Sequence, residues 1–123
     1  MGKLLYKELS YKIVGILYEV YNNLGYGHRE RTYQRALAEE LKNNKIVFKK
    51  ELYFPIFFKE KLISKYFFDF LVEDKIVLEL KVSNDLYQND INQILAYLKT
   101  KNYHLGILAI FTNNGVKTKR IVN

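Results

Sequence analysis

Lys75–Val82, KIVLELKV, is the stretch from which the rest of this 123-residue chain can be read. Its Ile, Val and Leu make a short buried strand, yet Glu79 and Lys81 interrupt it. Side chains alternate along a strand, so these two charges share one face, about 7 Å apart. Charged groups seldom enter a core unless they are paired or hold a metal. Upstream, LISKYFFDFLV (62–72) is also β-prone, and Glu73-Asp74-Lys75 offers a tight connection between the two runs.

A hairpin turning there pairs Val72 with Ile76. Counting outward sets Asp69, on the face of Ile63, Phe67 and Leu71, opposite Glu79, and sets Phe67 opposite Lys81. Directly opposed β-carbons lie about 5 Å apart, whereas a slip of one residue would send the carboxylates to opposite faces. Two carboxylates that close repel, and one pKa rises unless a cation joins them. Oxygen ligands of this kind suit Mg²⁺ or Mn²⁺, with Lys81 alongside. The competing reading is a solvated face on which Lys81 neutralises a carboxylate pair, and these three residues leave both open.

Working outward, Ile46–Phe58 predicts another long strand, with Pro55 confined to an edge or a bulge, and FKEKL a turn. Leu5, Leu9, Ile13, Ile16, Leu17, Val20 and Leu24 recur at helical spacing, ended by Asn22-Asn23 and the glycines 25 and 27. A second helix is expected from about His28 to Asn44, and a third from Leu86 to Thr100. LGILAIFT (105–112) reads as a strand inside a sheet, and VKTKRIV as a last edge strand or a tail. The order ααβββαβ gives one α/β domain over residues 1–123 with a mixed sheet flanked by helices.

On the second helix, Glu30 falls on the stripe of Tyr33, Leu37 and Leu41. An acid in a first turn complements the helix dipole wherever it points. This one lies on the core stripe, where a third acid converging on two sheet acids calls for a metal.

The net charge of +7 suggests a polyanionic partner, commonly nucleic acid. A solubilising lysine coat explains it equally well. There is no cysteine, which excludes disulfides and thiolate metal sites and fits a reducing cytoplasm. No apolar run is long enough to cross a membrane. The first residues lack the apolar stretch of a signal peptide, and Gly2 is followed by Tyr6 where a myristoylation motif needs Ser or Thr.

GHRERTY (27–33) resembles the pattern of the GxxExxY family, with Gly27, Glu30 and Tyr33 in place. YFFDFLV (66–72) with Glu79-Leu80-Lys81 resembles its D…ExK core. QILAYL (93–98) is similar to its Gln-bearing helix, and Leu105–Leu108 to its closing strand. The likeness spans nearly the whole chain, and that family is similar to the PD-(D/E)XK nucleases. It implies a restriction-endonuclease-like core and a metal-dependent nuclease acting on nucleic acid, with DNA favoured over RNA. Glu30, Asp69, Glu79 and the backbone carbonyl of Leu80 would hold Mg²⁺ or Mn²⁺. Lys81 would orient the attacking water and offset transition-state charge, and Gln93 would place the lysine, the water or the phosphate. Asp69 has no proline before it, the 25–29 loop departs from the family's, and Ala96 replaces a common Asn.

Arg29, Arg31 and Arg35 are candidates for phosphate contact, set against ordinary exposed positions. Tyr33 is expected to pack behind Glu30, and Tyr97, one turn after Gln93, stays open between a supporting role and the core. Phe54, Phe67 and Phe70 read as core. His28 and His104 read as solvated or structural. One small domain has limited room for a duplex, so a homodimer through the first helix is an expectation. The rival to an enzyme is a nucleic-acid-binding module of the same fold, inactive alone or acting with a partner.

Overall fold

The Ile76–Val82 strand sits in the middle of the sheet, where its Ile, Val and Leu as far as Leu80 are buried on both faces. The computed structural model describes residues 5–123, so Gly2 lies outside the described residues. Two helices, α1 (Lys7–Leu24) and α2 (Glu30–Asn43), precede the strands β1 (Phe48–Phe58), β2 (Lys61–Val72) and β3 (Ile76–Val82). Then come α3 (Gln88–Lys101), β4 (Leu105–Thr112) and β5 (Gly115–Val122). The strands lie in the order β1-β2-β3-β4-β5, and only β3 and β4 run parallel, joined by the α3 crossover.

The expected mixed α/β sheet flanked by helices is present. C-terminal residues that read as either strand or tail form the full edge strand β5, paired with β4 from Leu105↔Val122 to Thr112↔Gly115, which adds a strand to the expected order. Pro55 lies on the edge strand β1, one residue before the register shift at Ile56/Phe57. Both accommodations suit a residue with no N–H to donate.

Two apolar layers sandwich the sheet. On one side α1 and α2 cover Phe70, Val72, Leu78, Leu80, Ile107 and Phe111. On the other, α3 covers Leu52, Phe54, Phe68, Leu71, Val77 and Leu108. Gly106 lets α3 approach closely: a β-carbon there would lie 2.5 Å from Cγ2 of the buried Ile94.

Phe68 and Phe70 lie two residues apart, yet they pack into opposite layers. A regular strand would put both on one face. The hairpin therefore turns over at Asp69 and, across from it, at Glu51, whose φ is +56°. Phe48 contacts Phe70 on the α2 side, whereas Leu52 and Phe54 join Phe68 under α3. This break places the acids.

Candidate active site

The β2–β3 ladder runs from Val72↔Ile76 through Phe70↔Leu78 and stops there. Beyond it the strands splay, and carboxylates take the place of backbone partners. Asp69 Oδ2 accepts the Leu80 N–H at 2.8 Å, and Glu79 Oε1 accepts the Asp69 N–H at 2.9 Å. The count from Val72↔Ile76 thus brings Asp69 and Glu79 together, but through side chains rather than as a ladder pair. Its extension fails one step later. Tyr66, not Phe67, reaches Lys81, and Phe67 is 49% exposed rather than core. The turnover at Asp69 is the physical reason, since it reverses which side chains of β2 face α3.

Glu79 is only 3% exposed, and its pKa is pushed up to about 8. Burial is the main cause and the neighbouring Asp69 charge adds to it, against the hydrogen bond from Tyr66 and the charge of Lys81. The Asp69 carboxyl is raised as well, chiefly by burial and further by the Glu30 charge, while the bonds from Leu80 and Gln34 oppose the shift. Ionising both carboxyls would put more negative charge here than the surroundings neutralise, so the fold favours a proton on the pair.

Tyr66 ties the lysine to the acid. Its Oη donates to Glu79 Oε2 at 2.7 Å and accepts from Lys81 Nζ at 3.0 Å, and Lys81 Nζ lies 3.7 Å from Glu79 Oε2. Burial pushes the phenol up to about 12, so Tyr66 keeps the proton it donates. Burial works against the Lys81 charge, but Tyr66 and Glu79 outweigh it and the ammonium is held above its ordinary range. Phe68 packs against Tyr66, and Tyr97 against Phe68, as tilted rings with centroids 4.7 and 4.8 Å apart. Tyr97 therefore stands one ring away from Tyr66, as part of the α3 core.

From the other layer, α2 supplies Glu30 and Gln34. Gln34 Nε2 donates to Asp69 Oδ1 at 2.8 Å and, at a long 3.5 Å, to Glu30 Oε2. Glu30 Oε1 accepts the Val82 N–H at 3.3 Å. The third acid thus borders the pair through an amide instead of meeting it. Arg31, Arg35 and Lys50 wall a cleft of about 330 Å³ that reaches Asp69 past Gln34 and Glu51. Arg29 does not line it and is the residue that precedes α2. The sequence reading gave no role to Gln34, Tyr66 or Lys50. Gln34 follows Glu30 by four residues, one helical turn on the same face, and that spacing was the available signal.

Tyr33 is fully buried against Phe111, and its hydroxyl bonds to the Gly25 carbonyl at 2.5 Å and takes the His28 N–H at 3.2 Å. It anchors the loop that launches α2 and leaves the Glu30 carboxylate to Val82 and Gln34. His28 bonds the Leu24 carbonyl at 3.0 Å, and His104 is exposed. Gln93 is half-buried on α3, and no side-chain hydrogen bond joins it to the acids among the described residues.

The donors here are all oxygen, hard and in excess of local positive charge, which fits a small divalent cation. Among the described residues no three acids are already grouped as a ligand set. Glu79 points at the Asp69 backbone and Glu30 at Val82, so a cation would have to exchange those contacts for its own.

Residues 7–121 match the family described as the PD-(D/E)XK nuclease superfamily. The crystal structure of SSO0001 is similar in fold, with a TM-score of 0.57 and 22% sequence identity. That similarity covers 96% of this chain but 57% of the other, so the chain spans little more than half that protein's length. No curated protein matches the sequence.

Proposed function

Because the chain belongs to the PD-(D/E)XK nuclease superfamily, we propose that it is a Mg²⁺- or Mn²⁺-dependent nuclease, with DNA favoured over RNA. Nucleases of this superfamily typically use divalent metals. The observation that carries the reading is the buried Glu79 against the half-buried Asp69, with Lys81 fixed beside them by Tyr66. Such a concentration of negative charge is costly unless a cation occupies it. The likeness of the GHRERTY segment to the GxxExxY pattern supports membership of that group, and we read residues 1–123 as one nuclease-like domain acting in the cytoplasm.

Asp69, Glu79 and the Leu80 carbonyl would hold the ion, with Glu30 completing the set. A divalent ion there supplies Lewis-acid polarisation of the phosphoryl group and a more acidic water. The protein's own contribution is positional. Lys81 stays protonated, so it acts as a fixed positive charge and donor toward the developing anion, not as a base. Tyr66 and Glu79 hold that ammonium in place, and Gln34 fixes the Asp69 carboxylate against α2. Arg31 and Arg35 contact flanking phosphates, and Gln93 aligns the water or the scissile phosphate from α3.

End-labelled DNA and RNA, single-stranded, duplex, flapped and four-way, should be incubated with Mg²⁺, Mn²⁺ or EDTA. Cleavage that needs metal and is lost in Glu79→Ala or Asp69→Ala, both checked for folding, is the expected result. Metal-independent cleavage removes the metal-dependent mechanism, and no cleavage of any substrate removes the enzyme reading. Binding without cleavage leaves the partner-dependent binding module.

A further inference from the structure

The hairpin turnover that buries Phe54 and Phe68 under α3 sends the next side chains, Tyr53 and Phe67, to the α2 side of the sheet. These two are directly paired, with ring centroids 5.4 Å apart and planes inclined by 47°. Tyr53 is 47% and Phe67 49% exposed, at the start of the outer half of the hairpin, where Ile56, Phe57, Phe58, Leu62 and Ile63 are exposed as well. Along the same side, Lys50 stands before Tyr53, and Lys65 lies two residues from Phe67 opposite Pro55. The aromatic pair lies on the same side of the sheet as the cleft walled by Arg31, Arg35 and Lys50, two residues beyond Asp69 and Glu51 of its lining, although neither ring lines the cleft itself.

We propose that Tyr53 and Phe67 are a stacking platform for unpaired bases, so that the strand led to Asp69 is single-stranded or locally opened. The inference rests on the nuclease reading only for the strand's destination. Two features select this occupant over another protein surface. The two rings contact each other with Lys50 and Lys65 on either side, and Glu51 is the one acid besides Asp69 lining the cleft, while the apolar surface beyond them runs on to Ile63, Phe57 and Phe58 at the hairpin tip. Basic walls follow a phosphate backbone while rings take base faces, and a base offers a free face only when it is unpaired. A duplex would engage the arginines and Lys50 but leave the rings unused.

Binding is measured on the full chain in EDTA, by fluorescence anisotropy at fixed salt, with labelled oligothymidylate and a duplex of equal length. Tyr53→Ala with Phe67→Ala should weaken single-strand binding about tenfold or more, within what stacking is worth, and duplex binding less than about twofold. Tyr53→Phe with Phe67→Tyr, which keeps both rings, should retain single-strand affinity. Arg35→Ala with Lys50→Ala should weaken both and flatten the salt dependence by about one unit of slope per cation. As a check that needs no substitution, photo-crosslinking with iodouracil-bearing single strands should label Tyr53 or Phe67.

Unchanged single-strand affinity in the double alanine variant, an equal loss for duplex, or crosslinks confined to other residues overturns the proposal. So does a variant whose only change is dissociation of a dimer, which would make the rings a self-association face. Ring-dependent binding with no cleavage in any metal keeps the platform and removes the nuclease reading. Cleavage of single strands that ignores the rings does the reverse.

Discussion

Replacing Glu79 by Gln is expected to stabilise the metal-free protein at neutral and alkaline pH. An unfolded chain ionises Glu79 with its ordinary pKa of 4.5, whereas the folded chain holds the proton up to about 8. Below 4.5 the carboxyl is protonated in both states and contributes nothing to the difference. Between 4.5 and about 8 the folded state keeps a proton that the unfolded state has released, so stability falls as pH rises through that window. At pH 7 the linked penalty is on the order of 3 kcal/mol. A glutamine carries no charge, still accepts the Asp69 N–H and can donate to Tyr66. It turns an amide NH2 toward Tyr66 and the Lys81 ammonium in place of an oxygen, which offsets part of the gain and leaves about 1–2 kcal/mol.

For a chain of this length, 1 kcal/mol moves Tm by about 3–5 °C, so Glu79→Gln should melt roughly 3–10 °C above the parent at pH 8 in EDTA. The two curves should converge toward pH 5, where the parent's Glu79 is already neutral. Differential scanning calorimetry across pH 5 to 8 reads both features. A variant that melts at or below the parent at pH 8, with a gap that does not close at pH 5, refutes the reasoning. It would mean that Glu79 is ionised in the fold and that Lys81 and Tyr66 stabilise it.

Mg²⁺ should raise the Tm of the parent protein more at pH 8 than at pH 5, because binding needs the carboxylates that acid protonates, and Asp69→Asn should abolish the shift; an equal rise at both pH values counts against a site at this pair. Tyr66→Phe should cut cleavage about 10- to 100-fold while the fold persists, since the lost hydroxyl is what holds Lys81; an unaltered rate by single-turnover kinetics counts against that role. Gly106→Ala should cost about 1–3 kcal/mol in a denaturant melt, because its β-carbon would meet Ile94 at 2.5 Å and α3 must shift; a neutral effect would show that α3 is not tightly seated.

What sequence could reveal at this site depended on distance along the chain. Val72 and Ile76 flank a short turn, so their pairing followed from local chemistry, and the neighbourhood of Asp69 and Glu79 followed by counting. That count assumes regular alternation, and alternation is lost at Asp69 itself, where Phe68 and Phe70 part to opposite layers. Phe67 was accordingly misplaced into the core, and Tyr66 was passed over. The helical stripe carried Tyr33, Leu37 and Leu41 to the core as expected. It could not say that Gln34 would bridge Glu30 to Asp69, because that contact spans 35 residues and two layers. Arg31 and Arg35 were separable from Arg29 only once β1 had supplied Lys50 as the facing wall.

The irregularity that defeated the count is also what a site of this kind requires. Inside an unbroken ladder, the Asp69 and Leu80 N–H groups would be satisfied by carbonyls and the two carboxylates would have no reason to be buried. Splaying β2 from β3 frees both N–H groups, and side-chain acceptors take the place of the lost carbonyls. Asp69 and Glu79 do so at 2.8 and 2.9 Å. The same hydrogen bonds that repair the backbone therefore bury Glu79 and hold the two carboxyls side by side, where ionising both is costly. A cation entering the site relieves that repulsion, and a phosphate following it meets Lys81 already in place. Because the turnover extends to Glu51, it also sets which face Tyr53 and Phe67 present. One break in one hairpin thus places both the acids and the rings, so a substitution that restored regular pairing there, such as Asp69→Val, should disturb metal binding and single-strand preference together.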